Sequence, residues 1–403
     1  MYEWHKTNGA KLIPFAGWEM PVWYTSVLEE HSATRNNAGL FDVTHMGVFH
    51  AEGLDAVAFL DSVCGNSIGE LKVGESCYTH FLDPNGNVID DLLVYRHDKV
   101  KYLIVVNAAN EEKDWAWLTA VKNGSVKIDN KFSFAKAYGR DCVLKNLKDP
   151  ANKEEMRVDV ALQGPKSRNI LEWLGLTKSD IKNIRKLGRT ELCHATFRDK
   201  DLIVSRTGYT GETMAFELFI HPDSALMLWK DLMKAGEPFG ISPCGLGSRD
   251  SLRTEAGLPL YGHELSGSLN ISVGEAGFGS FIKTHKPWFI GRDVFLEQEK
   301  KREKEVIRFR FDEKNVRVAH YGDLVLNSRG KAIGNVTSCV IDSEGFLTGQ
   351  ALILQNAGET GAEVFIYQSS QKMDDINLRE LDIGRKIQLP SKAKVQTRFV
   401  KFG

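Results

Sequence analysis

CYTHFLDPNGNVIDDLLVYRHDKVKYLIVVN, residues 77–107, is the stretch whose reading decides the fold. CYTHFLD and NVIDDLLVYRHD flank Asp83-Pro84-Asn85-Gly86, whose Pro and Gly suit the dihedrals of a tight turn. A third β-rich run, VKYLIVVN, follows after only His97-Asp98-Lys99. Such short connections predict an antiparallel three-strand meander. NEEKDWAWLTAVKNG comes next, with Trp115, Leu118 and Val121 at three-residue steps, which predicts a helix.

Upstream, Val27, Leu28 and His31 recur at helical spacing and Gly39 stands just past the pattern, so 26–37 reads as a helix. GLFDVTHMGVFHAEG then alternates like a strand. Downstream, strand and helix patterns recur through DVALQGPKSRNILEWLG and DLIVSRTGYTGETMAFELFIHP, and SALMLWKDLMKAG is an amphipathic helix ending at Gly236. Near 296 the composition changes. LEQEKKREKE is a charge run, read as a solvated helix end or linker. The runs beyond it, VIRFRF, DLVLNSRGKAIGNVTSCV, GQALILQ and AEVFIYQ, are separated by Gly-rich turns and predict a small all-β barrel or sandwich. The expectation is an α+β protein with residues 1–295 as a mixed region and 296–403 as a β domain.

The 403 residues can bury a sizeable core without disulfide or metal staples. Lys+Arg 52 against Asp+Glu 53 gives a net charge of −1, which argues against a general nucleic-acid binder. The six cysteines include no CxxC pair and make no disulfide scaffold. The sequons at Asn123 and Asn335 are read as chance matches. The N-terminus has no apolar h-region and no Arg/Ser-rich presequence, and no run of 18 apolar residues exists. A cytoplasmic protein is expected, or one of the mitochondrial matrix if a presequence has been removed, with no membrane partner.

No Walker A loop, HExxH or GxSxG is present. His263-Glu264 lacks a second histidine, so no metal is expected, and Gly274-Glu-Ala-Gly277-Phe-Gly279 does not follow a strand in dinucleotide-binding fashion. Two constellations are hard to explain by packing alone. Asp90-Asp91 sit inside the second hairpin strand, where alternation sends them to opposite faces. Asp is disfavoured in strands, and a buried carboxylate must be paired or functional. The second is Arg206-Thr-Gly-Tyr-Thr-Gly-Glu212 together with the segment 247–257, in which Arg249 and Arg253 are i,i+4 neighbours and Arg253 and Glu255 read as an intrahelical ion network.

In this order, FAGWEMPVWY (15–24), GLFDVTHMG (39–47), NGNVIDDLLVY (85–95), VVNAANEEKDWAWL (105–118), ALQGP (161–165), RTGYTGE (206–212), GLGSRDSLRTEAGLPLYGHEL (245–265), FIGRDVF (289–295) and IGNVTS (333–338) resemble the glycine cleavage T-protein family, the aminomethyltransferases. The resemblance implies a three-domain cloverleaf: two interleaved α+β domains around a central folate cavity, plus a C-terminal β-barrel. It implies transfer of an aminomethyl group from the lipoyl arm of H-protein to tetrahydrofolate, with ammonia released and 5,10-methylenetetrahydrofolate formed. It places the catalytic carboxylate at Asp90 and folate contacts at Glu212, Tyr209, Arg249 and Tyr261. His45 reads as a structural hydrogen-bonder. The chain departs from the family pattern at 213–217, at 339–345 and in a longer loop at 145–159. These departures keep a second reading open on the donor side: a tetrahydrofolate-dependent demethylase acting on a small S-, N- or O-methyl donor.

Overall fold

The computed structural model describes residues 1–139, 141–368, 389–400 and 402. It contains two compact units: Met1–Leu252 with Phe278–Lys301 and Phe402, and Arg253–Gly277 with Arg302–Val400. The class is α+β with a closed C-terminal barrel, as expected from the sequence.

The meander of 77–107 is present as strands Glu75–Leu82, Val88–Asp98 and Lys101–Val106, joined antiparallel. Gly47–Glu52 and Val143–Asn146 extend it to five strands. Side chains alternate between two cores. Leu92, Val94 and Ile104 pack with Phe59, Leu118 and Val121 of the covering helices. Tyr95, Leu103 and Val105 pack instead with Ile203 and Phe219 of a second sheet. Burial on both faces explains why these strands read as near-continuous apolar runs. Each such Leu, Val or Phe contributes about 1.5–3 kcal/mol. The helix following the meander, Glu111–Asn123, ends at Gly124, whose φ of 65° is the left-handed C-terminal conformation glycine adopts most readily.

The second sheet has six strands in the order Leu192–Phe197, Lys200–Ser205, Ala215–Ile220, Val158–Gln163, Ala38–Asp42 and Ile241–Cys244, with only the last pair parallel. Helix Pro222–Gly236 covers it through Leu228, Trp229 and Leu232. The stretch 39–52, expected to be one strand, is two strands in two sheets. The Asp42 carboxylate accepts the Thr44 N–H at 2.9 Å, and this Asx turn ends the first strand before Gly47 starts the next. Strand Ala38–Asp42 therefore joins the later sheet although it precedes the earlier one in sequence.

In the second unit, Lys304–Phe311, Leu347–Leu354, Ala332–Ile341, Leu324–Leu326, Glu363–Tyr367 and Ser391–Gln396 close a barrel in that order. Phe309, Val336, Ala351, Ile353 and Ile366 fill it. Gly349 permits the close strand approach: a Cβ there would lie 2.3 Å from the Ser338 carbonyl oxygen. The charge run divides between the end of helix Arg292–Lys300 and the start of the first barrel strand. Among the described residues no helix is long and apolar enough to cross a membrane.

Candidate active site

Alternation sends Asp90 and Asp91 to opposite faces of their strand, and the strand is bulged just before them. Phe81 faces Asp90 while Leu82 faces Val88, so Ile89 is an extra residue. Both carboxylates nonetheless meet Asn107, the first residue after strand Lys101–Val106. The Asn107 backbone N–H donates to Asp90 Oδ2 at 3.0 Å, and its side-chain amide donates to Asp90 Oδ1 at 2.9 Å and Asp91 Oδ1 at 3.0 Å. Asn110 occupies the N-cap position of helix Glu111–Asn123, where an Asn side chain ordinarily accepts from the helix N-terminus. Here its amide donates to Asp90 Oδ1 at 2.5 Å.

The two acids differ in access. Asp90 has no exposed surface, whereas Asp91 retains 8%. Tyr78, on the neighbouring strand, donates its hydroxyl to Asp91 Oδ2 at 2.9 Å. Burial, and then the adjacent Asp90 charge, push the Asp91 carboxyl up to about 7, against the opposing hydrogen bonds from Tyr78 and Asn107. Burial also raises Asp90, against the hydrogen bonds it receives. A carboxyl near 7 is matched to proton transfer at neutral pH. Phe278 and Phe281 pack edge-on against Tyr78, with centroids at 5.6 and 5.1 Å.

Tyr209 lies close enough to interact electrostatically with Tyr78. The Arg249 guanidinium sits over the Tyr209 ring, 5.1 Å from its centroid. Thus Asp91, Tyr78, Tyr209 and Arg249 form a connected set. Glu212 follows in the same loop, 8% exposed, its Oε1 accepting from Arg35 Nη1 at 2.6 Å. Thr210 anchors that loop: its hydroxyl donates to Gln163 at 2.9 Å, while Arg35 also bonds its carbonyl oxygen.

Beside Tyr209, two buried polar atoms matter for a ligand. Arg249 Nη1 and His45 Nδ1 have no hydrogen-bond partner. Burial, then the Arg249 charge, lowers His45 to about 4 and keeps its ring neutral at pH 7. His45, expected to be a structural hydrogen-bonder, leaves its Nδ1 unused in that role. An unpaired guanidinium N–H beside a neutral imidazole fits a polar ligand, since buried polar groups otherwise find partners.

Tyr261 belongs to the second unit, in a short turn where it bridges to Leu265. Arg253 and Glu255, expected to pair within their helix, are engaged elsewhere. Arg253 bonds Glu264 at 2.6 Å and Ser338 at 2.8 Å, while Glu255 accepts from the Ser343 N–H and hydroxyl. Residues i and i+2 on a helix do not face each other, which is the physical reason. Sequence reasoning did not assign Tyr78, Asn107, Asn110 or Arg35. The signal for the amides was Asn107-x-x-Asn110 at a strand-to-helix junction, a spacing that turns both toward one point.

The family profile described as the GCVT N-terminal domain matches residues 1–286. The aminomethyltransferase of Caldanaerobacter subterraneus subsp. tengcongensis is 41% identical over 304 residues, covering 74% of this chain and 72% of that protein. That of Bacillus subtilis (strain 168) is 35% identical over 367 residues, covering 90% and 92%. The crystal structure of glycine cleavage system aminomethyltransferase T from Bartonella henselae matches with a TM-score of 0.79 at 28% identity, over 100% of this chain and 97% of that one. Matches of this extent, on a chain that seats a carboxylate pair at its bulged strand, show that it belongs to the GCVT family of aminomethyltransferases.

Proposed function

We propose that this chain is the tetrahydrofolate-dependent aminomethyltransferase of the glycine cleavage system, taking its aminomethyl group from lipoylated H-protein, releasing ammonia and forming 5,10-methylenetetrahydrofolate. The observation that carries the reading is the buried Asp90–Asp91 pair, in which Asp91, held by Tyr78 and Asn107, is pushed up to about 7 in a family of aminomethyltransferases. Tetrahydrofolate, when bound, supplies the N5 amine that accepts the one-carbon unit. Asp91 holds a proton that it can give to the departing amine and recover afterwards. Asp90 completes the pair: its charge sustains the high proton affinity of Asp91, and through Asn107 it fixes where Asp91 points. Glu212, steadied by Arg35, suits the paired N–H donors of a pterin. Tyr209 and Arg249 supply a flat face and positive charge for the remainder of the folate.

A donor panel tests the reading. Aminomethyl-loaded lipoyl H-protein is compared with small methyl donors in the presence of tetrahydrofolate. Methylene-folate from the H-protein alone is the expected product; methyl-folate from a small donor would replace this reading with the demethylase.

Glu212→Ala is expected to weaken tetrahydrofolate binding by about 1.5–3 kcal/mol, the worth of a hydrogen bond to a charged group, or roughly 10- to 150-fold in Kd. Calorimetric titration checks it, and an unchanged Kd removes Glu212 from the folate contacts.

A further inference from the structure

Asp114 lies in the first turn of helix Glu111–Asn123 and has no exposed surface. Neither of its oxygens accepts from an N–H or hydroxyl donor. Its carboxyl lies against that of Asp90, near enough for a hydrogen bond between the two once one of them is protonated. Two carboxyls make such a bond only when one of them carries a proton. Asp90 already receives the Asn107 N–H and the amides of Asn107 and Asn110, so its oxygens are arranged as acceptors. The proton therefore belongs on Asp114. An asparagine could donate the same hydrogen bond without needing to hold a proton, so the carboxyl is the costlier choice at this position.

We propose that Asp114 is a positioning residue of the acid centre: a neutral carboxylic acid that donates to Asp90 and limits this buried pair to one negative charge next to Asp91. A second charge there would repel Asp91 and drive its proton affinity away from neutrality. The ionisable groups facing Asp114 are Asp90, Lys113 and Asp91, and the acids outweigh the lysine. Burial, then the Asp90 charge and hydrogen bond, push Asp114 up to about 10. The proton is thus retained across the neutral range. The catalytic consequence rests on the reading of Asp91 given above; the presence of the proton does not.

The test uses the full chain with Asp114→Asn and Asp114→Leu. A group with a raised folded-state pKa supports folding below its unfolded value and loses that support as pH rises through its folded value. Between roughly pH 4 and pH 10 the wild-type unfolding constant should therefore rise more steeply than that of Asp114→Asn, by up to about tenfold per pH unit. Infrared spectra at pH 8 should show a protonated carboxylic acid band in the wild type that is missing from Asp114→Asn. In turnover, Asp114→Leu should lose more kcat than Asp114→Asn with KM for folate unmoved, and the limb of kcat near pH 7 should keep its position in Asp114→Asn. Parallel stability curves for wild type and Asp114→Asn, or no acid band lost, would overturn the proposal. Should the donor panel fail while the spectroscopic and stability arms hold, the fault lies with the functional reading and not with the shared proton. Should Asp114→Leu not fold, Asp114→Asn decides alone.

Discussion

Replacing Asp91 with asparagine is expected to lower kcat by about 10²- to 10⁴-fold, the range for losing a positioned acid–base group, while leaving Kd for tetrahydrofolate within a few-fold. Asn107 and Tyr78 donate to the Asp91 carboxylate, and an amide oxygen can still accept from one of them, so the local structure survives. The proton does not. The apparent pKa near 7 that Asp91 brings to the kcat profile should disappear in the variant. Stability should change in the opposite sense. The folded-state pKa of Asp91 is raised from the usual value of about 4, so its favourable contribution is complete below pH 4 and is lost as pH rises toward 7. Asp91→Asn removes that loss and should be the more stable protein at pH 8, by up to about 1.4 kcal/mol for each pH unit crossed. Asp90→Asn contrasts with this. It turns an amide toward the donors of Asn107 and Asn110, so stability and turnover should fall together. Rate and denaturation measurements on both variants separate the roles of the two acids. Full activity in Asp91→Asn would return the catalytic role to Asp90 alone.

That contrast marks where sequence reading stops. The meander was legible because a Pro-Gly turn and two β-rich runs are local signals, and the barrel was legible for the same reason. The division of 39–52 into two strands was not, because it depends on one Asx turn at Asp42 inside a pattern that alternates throughout. Asp90-Asp91 stood out as charged residues in a strand, but alternation does not show that one asparagine beyond the neighbouring strand reaches both of them. Asn107, Asn110 and Asp114 all lie within VVNAANEEKDWAWL, residues 105–118. What they do became visible only when the strand-to-helix junction brought them onto one carboxylate. Arg35 lies 177 residues before Glu212, and no spacing rule links them.

The same long-range principle governs the second large effect, expected in Glu264→Gln: a loss of about 3–5 kcal/mol of stability in the second unit. Glu264 is fully buried and Arg253 nearly so. One Glu264 oxygen accepts from Arg253 at 2.6 Å and the Leu260 N–H at 3.2 Å, and the other from the Thr337 and Ser338 hydroxyls at 2.6 Å each. Burial alone would raise this carboxyl, but the Arg253 charge and the two hydroxyls overcome it and hold it below its usual range. The amide introduced by Glu264→Gln would leave the Arg253 guanidinium buried without its counter-charge, and it would turn a donor toward groups that already donate. A depressed pKa contributes stability that is complete above the unfolded value of about 4.3 and disappears as pH falls through the folded value. The gap between wild type and Glu264→Gln, read from denaturant midpoints, should therefore be widest at neutral pH and shrink in acid. The double variant Arg253→Met/Glu264→Leu distinguishes a needed ion pair from a needed partner. Removing both charges avoids the unpaired guanidinium, so the double variant should be more stable than Glu264→Gln. If it is no better, the hydroxyls of Thr337 and Ser338 require the carboxylate itself, and the strand bearing them is held in register by that charge.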